Sequence, residues 1–403
     1  MRTLGLLNLK PILWLSKYKK TRPLPFAINF WVLLFLALGG VADSSYLSIS
    51  HYRVYTDIGY ASFCAISRAI NCDTVSQSTF SIFLGLPVPV WGVVGYTFFL
   101  IILLAAHLKD GERQRLWCFL FLLASCFSLY SVVLALISTY WIRSYCLMCI
   151  VSYVVNFALV YITWLALRRF VPGKWWQGIR EDVRFVWKRW KRFGAVFLPF
   201  GAVVLVLVAF FPAYWHFSAP AAAAVLPNGV TEDGHPWIGA ENPELTIEEF
   251  TDYQCFQCKK MHFFLRRLVT QNPSKIRLVH RNYPLDHELN PIVVPQPYHV
   301  GSGKMALLAN AAGLSGKFWE MNDLLFGLVG QTDSLKIKDL AEGVGMAPED
   351  LAQNMNSPEA HRLLLMDIRE GMRANMTGTP TYRIDGEIYL GQIPPGILEA
   401  VIQ

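Results

Sequence analysis

The chain has 403 residues, of which 54% are hydrophobic and 16% charged, and carries a formal net charge of +7. It is too apolar for one soluble domain and too charged to lie wholly in lipid, which leaves a membrane part joined to a soluble part. The basic excess does not point to nucleic acid: 21 Lys+Arg face 7 Asp+Glu through Phe217, against 15 and 22 after it, and basic residues clustered beside apolar stretches are the mark of a membrane.

Residues 1–26 form a basic segment with Arg2, Lys10, Lys17, Lys19, Lys20 and Arg22 and no acid. Five stretches then follow that are long enough to cross a hydrocarbon core of about 30 Å. They run approximately Ala27–Leu47, Ile82–Ala106, Leu116–Ser138, Cys146–Leu167 and Ala195–Trp215. The first has no convincing small-residue cleavage site and is expected to stay as an anchor. It holds the one acid found in any span, Asp43, near its outer end, where an interface-level carboxylate is expected and a functional one is the alternative. The next loop carries Cys64 and Cys72, followed by Asp73-Thr74-Val75-Ser76-Gln77-Ser78. Cys118 and Cys126 in the third span read as small packing residues. Cys146 and Cys149 open the fourth span as Cys-Leu-Met-Cys, and Tyr153 lies one turn beyond Cys149, so the three share a helix face. Residues 170–217 hold a basic loop and the fifth span. Residues 218–229, rich in Ala and Pro, read as a linker.

The loop charges orient the bundle. The segments before span one, between spans two and three (Lys109, Arg113, Arg115) and between spans four and five are strongly basic, whereas the opposite two loops hold Arg53, Arg68 and Arg143. The positive-inside rule puts the N-terminus in the cytoplasm. Five crossings then put residues 230–403 on the far side, with Cys64, Cys72, Cys146, Cys149, Cys255 and Cys258 all facing that side.

In this last part, Leu245–Tyr253 reads as a strand, followed by Cys255-Phe256-Gln257-Cys258 opening a helix. A thiol at a helix N-terminus gains thiolate character from unpaired backbone N–H groups, so Cys255 is the expected nucleophile, with Cys258 on the same face to close the disulfide. Period-two alternation sets Glu249 in a row with Leu245 and Ile247. It is either a buried acid relaying the proton of Cys258 or a strand-end carboxylate reaching water. A second strand is expected at Ile276–Tyr283, a largely helical stretch from Lys304 to Asn375, and a hairpin after Thr379-Pro380 that turns at Asp385-Gly386. No second Cys pair or His pair completes a zinc site in this domain, so no metal is expected.

These segments, EFTDYQCFQCKKMH, RNYPLDH, GKFWEMNDLLF and GTPTYRIDG, resemble DsbA-like thiol oxidases of the thioredoxin superfamily over about Val230–Gln403. The resemblance implies that Cys255 attacks, Cys258 resolves, Pro380 is a cis proline facing the disulfide, Thr379 binds substrate backbone and Glu249 is the buried acid. Phe256-Gln257 departs from the commonest dipeptide of such oxidases, which leaves the oxidising strength open. Over about Ala27–Arg169, the loop cysteines, Ser78 and CLMCIVSYVVN resemble the vitamin K epoxide reductase family. That resemblance implies that Cys146 and Cys149 are the active pair with Cys149 facing a quinone, that Cys64 and Cys72 shuttle with Cys72 meeting Cys146, and that Ser78 and Tyr153 line the quinone pocket.

The expected fold is multi-domain: an α-helical transmembrane bundle, with a four-helix core over 27–169 plus a fifth span, followed by an α/β thioredoxin-like domain with a helical insertion. The expected activity is disulfide formation in reduced extracytoplasmic proteins. Electrons would pass to Cys255/Cys258, then Cys64/Cys72, then Cys146/Cys149, and then to ubiquinone or menaquinone, at a bacterial inner membrane with the thioredoxin-like domain in the periplasm. An isomerase or reductase running on the same relay is the alternative. Copper handling is a weaker rival, since Met-rich and His-rich clusters are missing from the sequence.

Overall fold

The structure is a computed structural model and describes residues 26–67, 69–107, 116–171, 175–220, 226–329 and 335–402. The basic residues of the N-terminal segment, Arg68, Lys109, Arg113, Arg115, Lys174 and linker residues 221–225 lie outside them. Two compact units emerge. One contains the chain up to Ser48 together with Leu86–Phe210, and the other Ile49–Gly85 together with Phe211 onward. The loop bearing Cys64 and Cys72 thus groups with the C-terminal domain.

In chain order the first part comprises α1 (Phe26–Thr56), α2 (Cys72–Gln77), β1 (Ile82–Phe83), β2 (Leu86–Pro87), α3 (Val88–His107), α4 (Trp117–Ile137), α5 (Leu147–Phe170), α6 (Trp175–Lys188) and α7 (Trp190–Phe210). Of these, α1, α3, α4, α5 and α7 are long and apolar enough to cross a membrane. The second span starts at Val88 rather than Ile82, because β1 and β2 pair into a short ribbon around Leu84 and Gly85, both in the left-handed region. That two-residue turn matches the twist of an antiparallel pair.

The first span departs most from expectation. α1 continues nine residues past Leu47, so Asp43 sits well inside the helix and is 7% exposed. It is a buried carboxylate. The basic loop before the fifth span also holds a helix, α6, whose Asp182 side chain accepts from the backbone N–H groups of Leu116 at 2.7 Å and Cys118 at 3.1 Å. A carboxylate there satisfies the orphan donors at the N-terminus of α4 and opposes its dipole.

The C-terminal part comprises β3 (Asn228–Val230), β4 (Pro236–Gly239), β5 (Leu245–Thr251), α8 (Phe256–Gln271), β6 (Ile276–Asn282), α9 (Ser302–Gly313), α10 (Phe318–Gly327), α11 (Ile337–Val344), α12 (Pro348–Met355), α13 (Pro358–Arg373), β7 (Thr381–Ile384), β8 (Glu387–Leu390) and α14 (Pro395–Ile402). The strands form one sheet in the order β3-β4-β6-β5-β7-β8. β5 and β6 run parallel at its centre and the other pairs are antiparallel. Both central strands read as nearly continuous buried runs, as strands covered on two faces must. Helices α9–α13 are the insertion, and Asp385 and Gly386, both at positive φ, close the β7–β8 hairpin. β3 begins inside the stretch expected as linker, and a three-residue edge strand is too short to leave a period-two signal. This is a helical bundle followed by a thioredoxin-like α/β domain.

Gly239 holds φ +111°, and a Cβ there would lie 2.2 Å from the Ile276 carbonyl oxygen across the β4–β6 pair. Gly239→Ala is expected to cost about 2 kcal/mol or more and to lower the unfolding temperature of the thioredoxin-like domain by several degrees in calorimetry of the purified chain.

Candidate active site

The end of β5 and the start of α8 build the first thiol pair. Asp252 shapes the turn: its backbone carbonyl accepts the Cys255 N–H at 3.1 Å, and its carboxylate accepts the Gln254 N–H at 2.6 Å and the Ser302 hydroxyl at 2.9 Å. Cys255 is the N-cap of α8, and its Sγ accepts the Cys258 N–H at 3.3 Å. The Thr379–Pro380 peptide is cis, and the Thr379 carbonyl accepts from Cys255 Sγ at 3.5 Å. Cys258 is wholly buried while Cys255 keeps 9% exposure. The Cys258 thiol, helped by the charge of His299 and opposed by burial, draws the Cys255 thiol down to about 7. Burial and the neighbouring Cys255 push Cys258 well above the ordinary thiol range. One sulfur is thus poised as a thiolate while its partner is held protonated.

Beneath the pair lies a buried ionic cluster. Strand register sets Glu249 between His280 on β6 and Tyr382 on β7, so the three side chains occupy one row across the sheet. His280 Nδ1 donates to Glu249 Oε1 at 2.9 Å, and His262 Nδ1 stands 3.9 Å from the same oxygen. His262 lies four residues beyond Cys258 on the same face of α8, and its Nε2 donates to Asp323 at 2.6 Å. Arg266 clamps Asp323 with two bonds of 3.0 and 2.9 Å. Glu249 is fully buried, which removes the reading of a strand-end carboxylate reaching water. Burial disfavours its charge, but His262 and His280 more than offset this and hold the carboxyl at about 2.

The dipeptide between the cysteines has a packing role of its own. Phe256 meets the Tyr55 ring edge-on at 5.0 Å and the Phe217 ring at 6.1 Å. Gln257 Nε2 donates to the Ile58 carbonyl at 3.2 Å. One turn further, buried Lys260 donates to the carbonyls of Val54 at 3.1 Å and Asp57 at 2.9 Å, where α1 ends and its last carbonyls lack helical partners. Burial lowers the Lys260 ammonium to about 8. Phe256, Gln257 and Lys260 of α8 therefore pack on residues 54–58, the lead-in to the Cys64–Cys72 loop.

Cys64 and Cys72 are joined by a disulfide with Cα atoms 5.7 Å apart. Asn71 caps α2 by accepting from Asp73 N–H at 2.9 Å and Thr74 N–H at 3.1 Å, and Asp73 in turn accepts the Ser62 N–H at 3.0 Å. Both ends of the loop are thereby tied to α2. Ser78 uses its hydroxyl to donate to the Val75 carbonyl at 2.7 Å, closing that helix. In the other unit, Cys146 is the N-cap of α5, with its Sγ accepting the Cys149 N–H at 3.2 Å. Tyr153 follows one turn below. The two Cys-x-x-Cys pairs thus share one local geometry, a thiol capping a helix. Lys260, His262, His280, Asp323 and Tyr382 escaped the sequence reading. His262 alone left a clear signal, its i,i+4 spacing from Cys258; the others depend on strand register or on contacts distant in sequence.

In the reduced protein, alkylation of Cys255 is expected to reach half-maximal rate near pH 7 while Cys258 stays unreactive there, as followed by mass spectrometry. Glu249 adds an acid-side dependence. Its carboxyl is depressed in the fold, so its stabilisation is complete above the ordinary value of 4.5 and is lost as pH falls toward about 2. That amounts to about 3 kcal/mol at most. Glu249→Gln is expected to flatten the stability profile across this window in urea titrations.

The vitamin K epoxide reductase family matches residues 31–164, and the DSBA-like thioredoxin domain matches residues 246–403. Among curated proteins, Na(+)/H(+) antiporter NhaA 1 of Salinispora arenicola (strain CNS-205) is 25% identical over 164 residues, covering 41% of this chain and 24% of the antiporter. The Salinispora tropica antiporter NhaA 3 is 25% identical over 167 residues, with the same two shares. The chain spans about a quarter of the length of these relatives, and the antiport in their names is said of them alone. Similar solved structures include a thioredoxin-like oxidoreductase from Silicibacter pomeroyi DSS-3, at 24% identity and TM-score 0.36 over 43% of this chain and 91% of that one. Wolbachia pipientis alpha-DsbA2, a thiol-disulfide exchange protein, gives 20% and 0.35 over 41% and 84%. Bacillus subtilis BdbD gives 18% and 0.34 over 44% and 96%. Residues 31–164 match the vitamin K epoxide reductase family and residues 246–403 the DsbA-like thioredoxin domain, so one chain joins a domain of each kind, with five helices long and apolar enough to cross a membrane among the described residues.

Proposed function

We propose that the chain forms disulfides in extracytoplasmic proteins and delivers their electrons to a membrane quinone through its own three cysteine pairs. The observation that carries this reading is the packing of Phe256, Gln257 and Lys260 on residues 54–58, the chain segment that leads into the loop of the Cys64–Cys72 disulfide. A reduced substrate thiolate attacks the Cys255–Cys258 disulfide, and the substrate leaves oxidised. The Cys255 thiolate then attacks the Cys64–Cys72 disulfide, Cys258 resolves the mixed disulfide, and Cys72 passes the electron pair to Cys146–Cys149. Each step exchanges one S–S bond for another and needs no metal. Thr379 and Pro380 offer backbone to the substrate, and Glu249 with His262 takes up the Cys258 proton when that sulfur attacks. The basic loops favour the arrangement in which this domain lies outside the cytoplasm, as at a bacterial inner membrane.

A quinone fits the polar residues of the helical unit. The bundle holds a buried polar line in which Tyr96 donates to Asn156 at 2.7 Å and Asn156 donates to Ser131 at 2.9 Å. One turn from Ser131, the Ser128 hydroxyl is buried and unpaired, a donor suited to a carbonyl oxygen. Tyr153 presents a further hydroxyl one turn below Cys149. Ser78 is spent on capping α2 and is the weaker of the two expected ligands. When bound, ubiquinone or menaquinone supplies a two-electron, two-proton acceptor.

The alternative direction, isomerase or reductase, runs on the same relay, with the residues between the cysteines tuning the potential. The midpoint potential of the Cys255–Cys258 couple separates the two: a value near about −120 mV marks an oxidase and one near about −270 mV a reductase. In the full chain, Cys149→Ala is expected to reduce quinone-dependent oxidation of a reduced peptide to background while leaving stoichiometric exchange at Cys255 intact. Undiminished turnover in this variant would overturn the relay.

A further inference from the structure

Asp43 takes no part in the steps above. It lies within the first membrane-spanning helix and is 7% exposed; one carboxylate oxygen accepts the Ser152 hydroxyl and the other is buried with no hydrogen-bond partner. An ionisable group at such a depth is costly unless it is used, so its surroundings matter. Ser152 is three residues beyond Cys149 on α5, on the face that also carries Tyr153 and Asn156. Helix α3 approaches α1 closely here: a Cβ at Gly40 would lie 2.5 Å from the Tyr96 ring, and one at Gly92 would lie 2.4 Å from Ser44 Oγ. The titratable groups within electrostatic reach of Asp43 are Tyr96 from α3 and Cys146 and Cys149 from α5. Helix α4 adds only the neutral Ser131 to the same polar line.

We propose that Asp43 is the proton acceptor of the Cys146–Cys149 pair. The inference rests on the quinone reading above and adds what that reading lacks, a place for the thiol protons in an apolar bundle. Oxidation of the pair breaks two S–H bonds and forms one S–S bond, releasing two electrons and two protons. The free oxygen of Asp43 receives the Cys149 proton while Ser152 holds the carboxylate in place. The electron pair leaves for the quinone as the two sulfurs join. The proton on Asp43 and the one from Cys146 end on the two quinone oxygens, which regenerates the carboxylate and gives quinol.

The test uses the full chain in detergent with two readouts, quinone reduction and, without quinone, the pH profile of Cys149 alkylation in the reduced protein. Asp43→Asn is expected to slow quinone reduction about 100-fold and to move the alkylation profile to lower pH, because a neighbouring negative charge is lost. Asp43→Glu is expected to restore most of both. If Asp43→Asn yields little folded protein, Ser152→Ala carries the test, with slowing of about tenfold. Wild-type rates in Asp43→Asn or in Ser152→Ala overturn the proposal, as does an alkylation profile that does not move. If instead the wild-type chain fails to reduce any quinone while the profile still moves, the quinone reading fails and Asp43 remains the partner of the thiols.

Discussion

Disulfide exchange proceeds only when a thiolate sulfur touches a disulfide sulfur, and that contact requirement governs most of what this chain builds. On the proposed route electrons leave Cys255 only by exchange with another sulfur pair that α8 would have to meet. Lys260 serves this end without any redox chemistry. Its ammonium replaces the helical partners missing at the end of α1, and with Phe256 and Gln257 it holds the start of α8 on the segment leading to Cys64. A buried lysine costs free energy unless its donors are satisfied. Here two carbonyls satisfy them, which makes the docking geometry specific as well as favourable.

The second requirement is control of protons, and the two units meet it differently. In the thioredoxin-like domain, Glu249, His280, His262 and Asp323 form a ladder of alternating acid and base that leads from below Cys258 to a partly exposed carboxylate. Glu249 is held so firmly as a carboxylate by His262 and His280 that it is a weak base by itself, and its part in the Cys258 proton step belongs to the proposed route. In the helical unit the apolar bundle leaves fewer choices, and Asp43 with Ser152 is the corresponding feature. The shared N-cap placement of Cys255 and Cys146 accounts for the thiolate side of the chemistry in both units, since a helix start offers N–H groups to a sulfur wherever the fold places it.

Much of this was legible from residue order. The apolar spans, the strand before Cys255, the helical insertion and the Asp385-Gly386 hairpin follow from periodicity and turn chemistry, which are local. What stayed hidden was non-local. Period two put Glu249 on an apolar face but could not say that β6 and β7 would set His280 and Tyr382 beside it. α1 runs past Leu47 because SISHYRVYT, too polar to read as membrane, remains helical, and the burial of Asp43 comes from neighbouring helices that residue order does not reveal. The Phe256-Gln257 dipeptide, which leaves the oxidising strength open, also forms a contact surface. Docking against a distant loop leaves no periodic trace.

The central claim is that Cys255 exchanges with the loop disulfide of its own chain, and trapping the intermediate tests it directly. In a Cys258→Ser variant the mixed disulfide cannot be resolved, so peptide mapping of the unreduced protein should find Cys255 joined to Cys64 or Cys72 of the same polypeptide. Cys255 found only as a free thiol, or linked only to other polypeptides, would contradict the account.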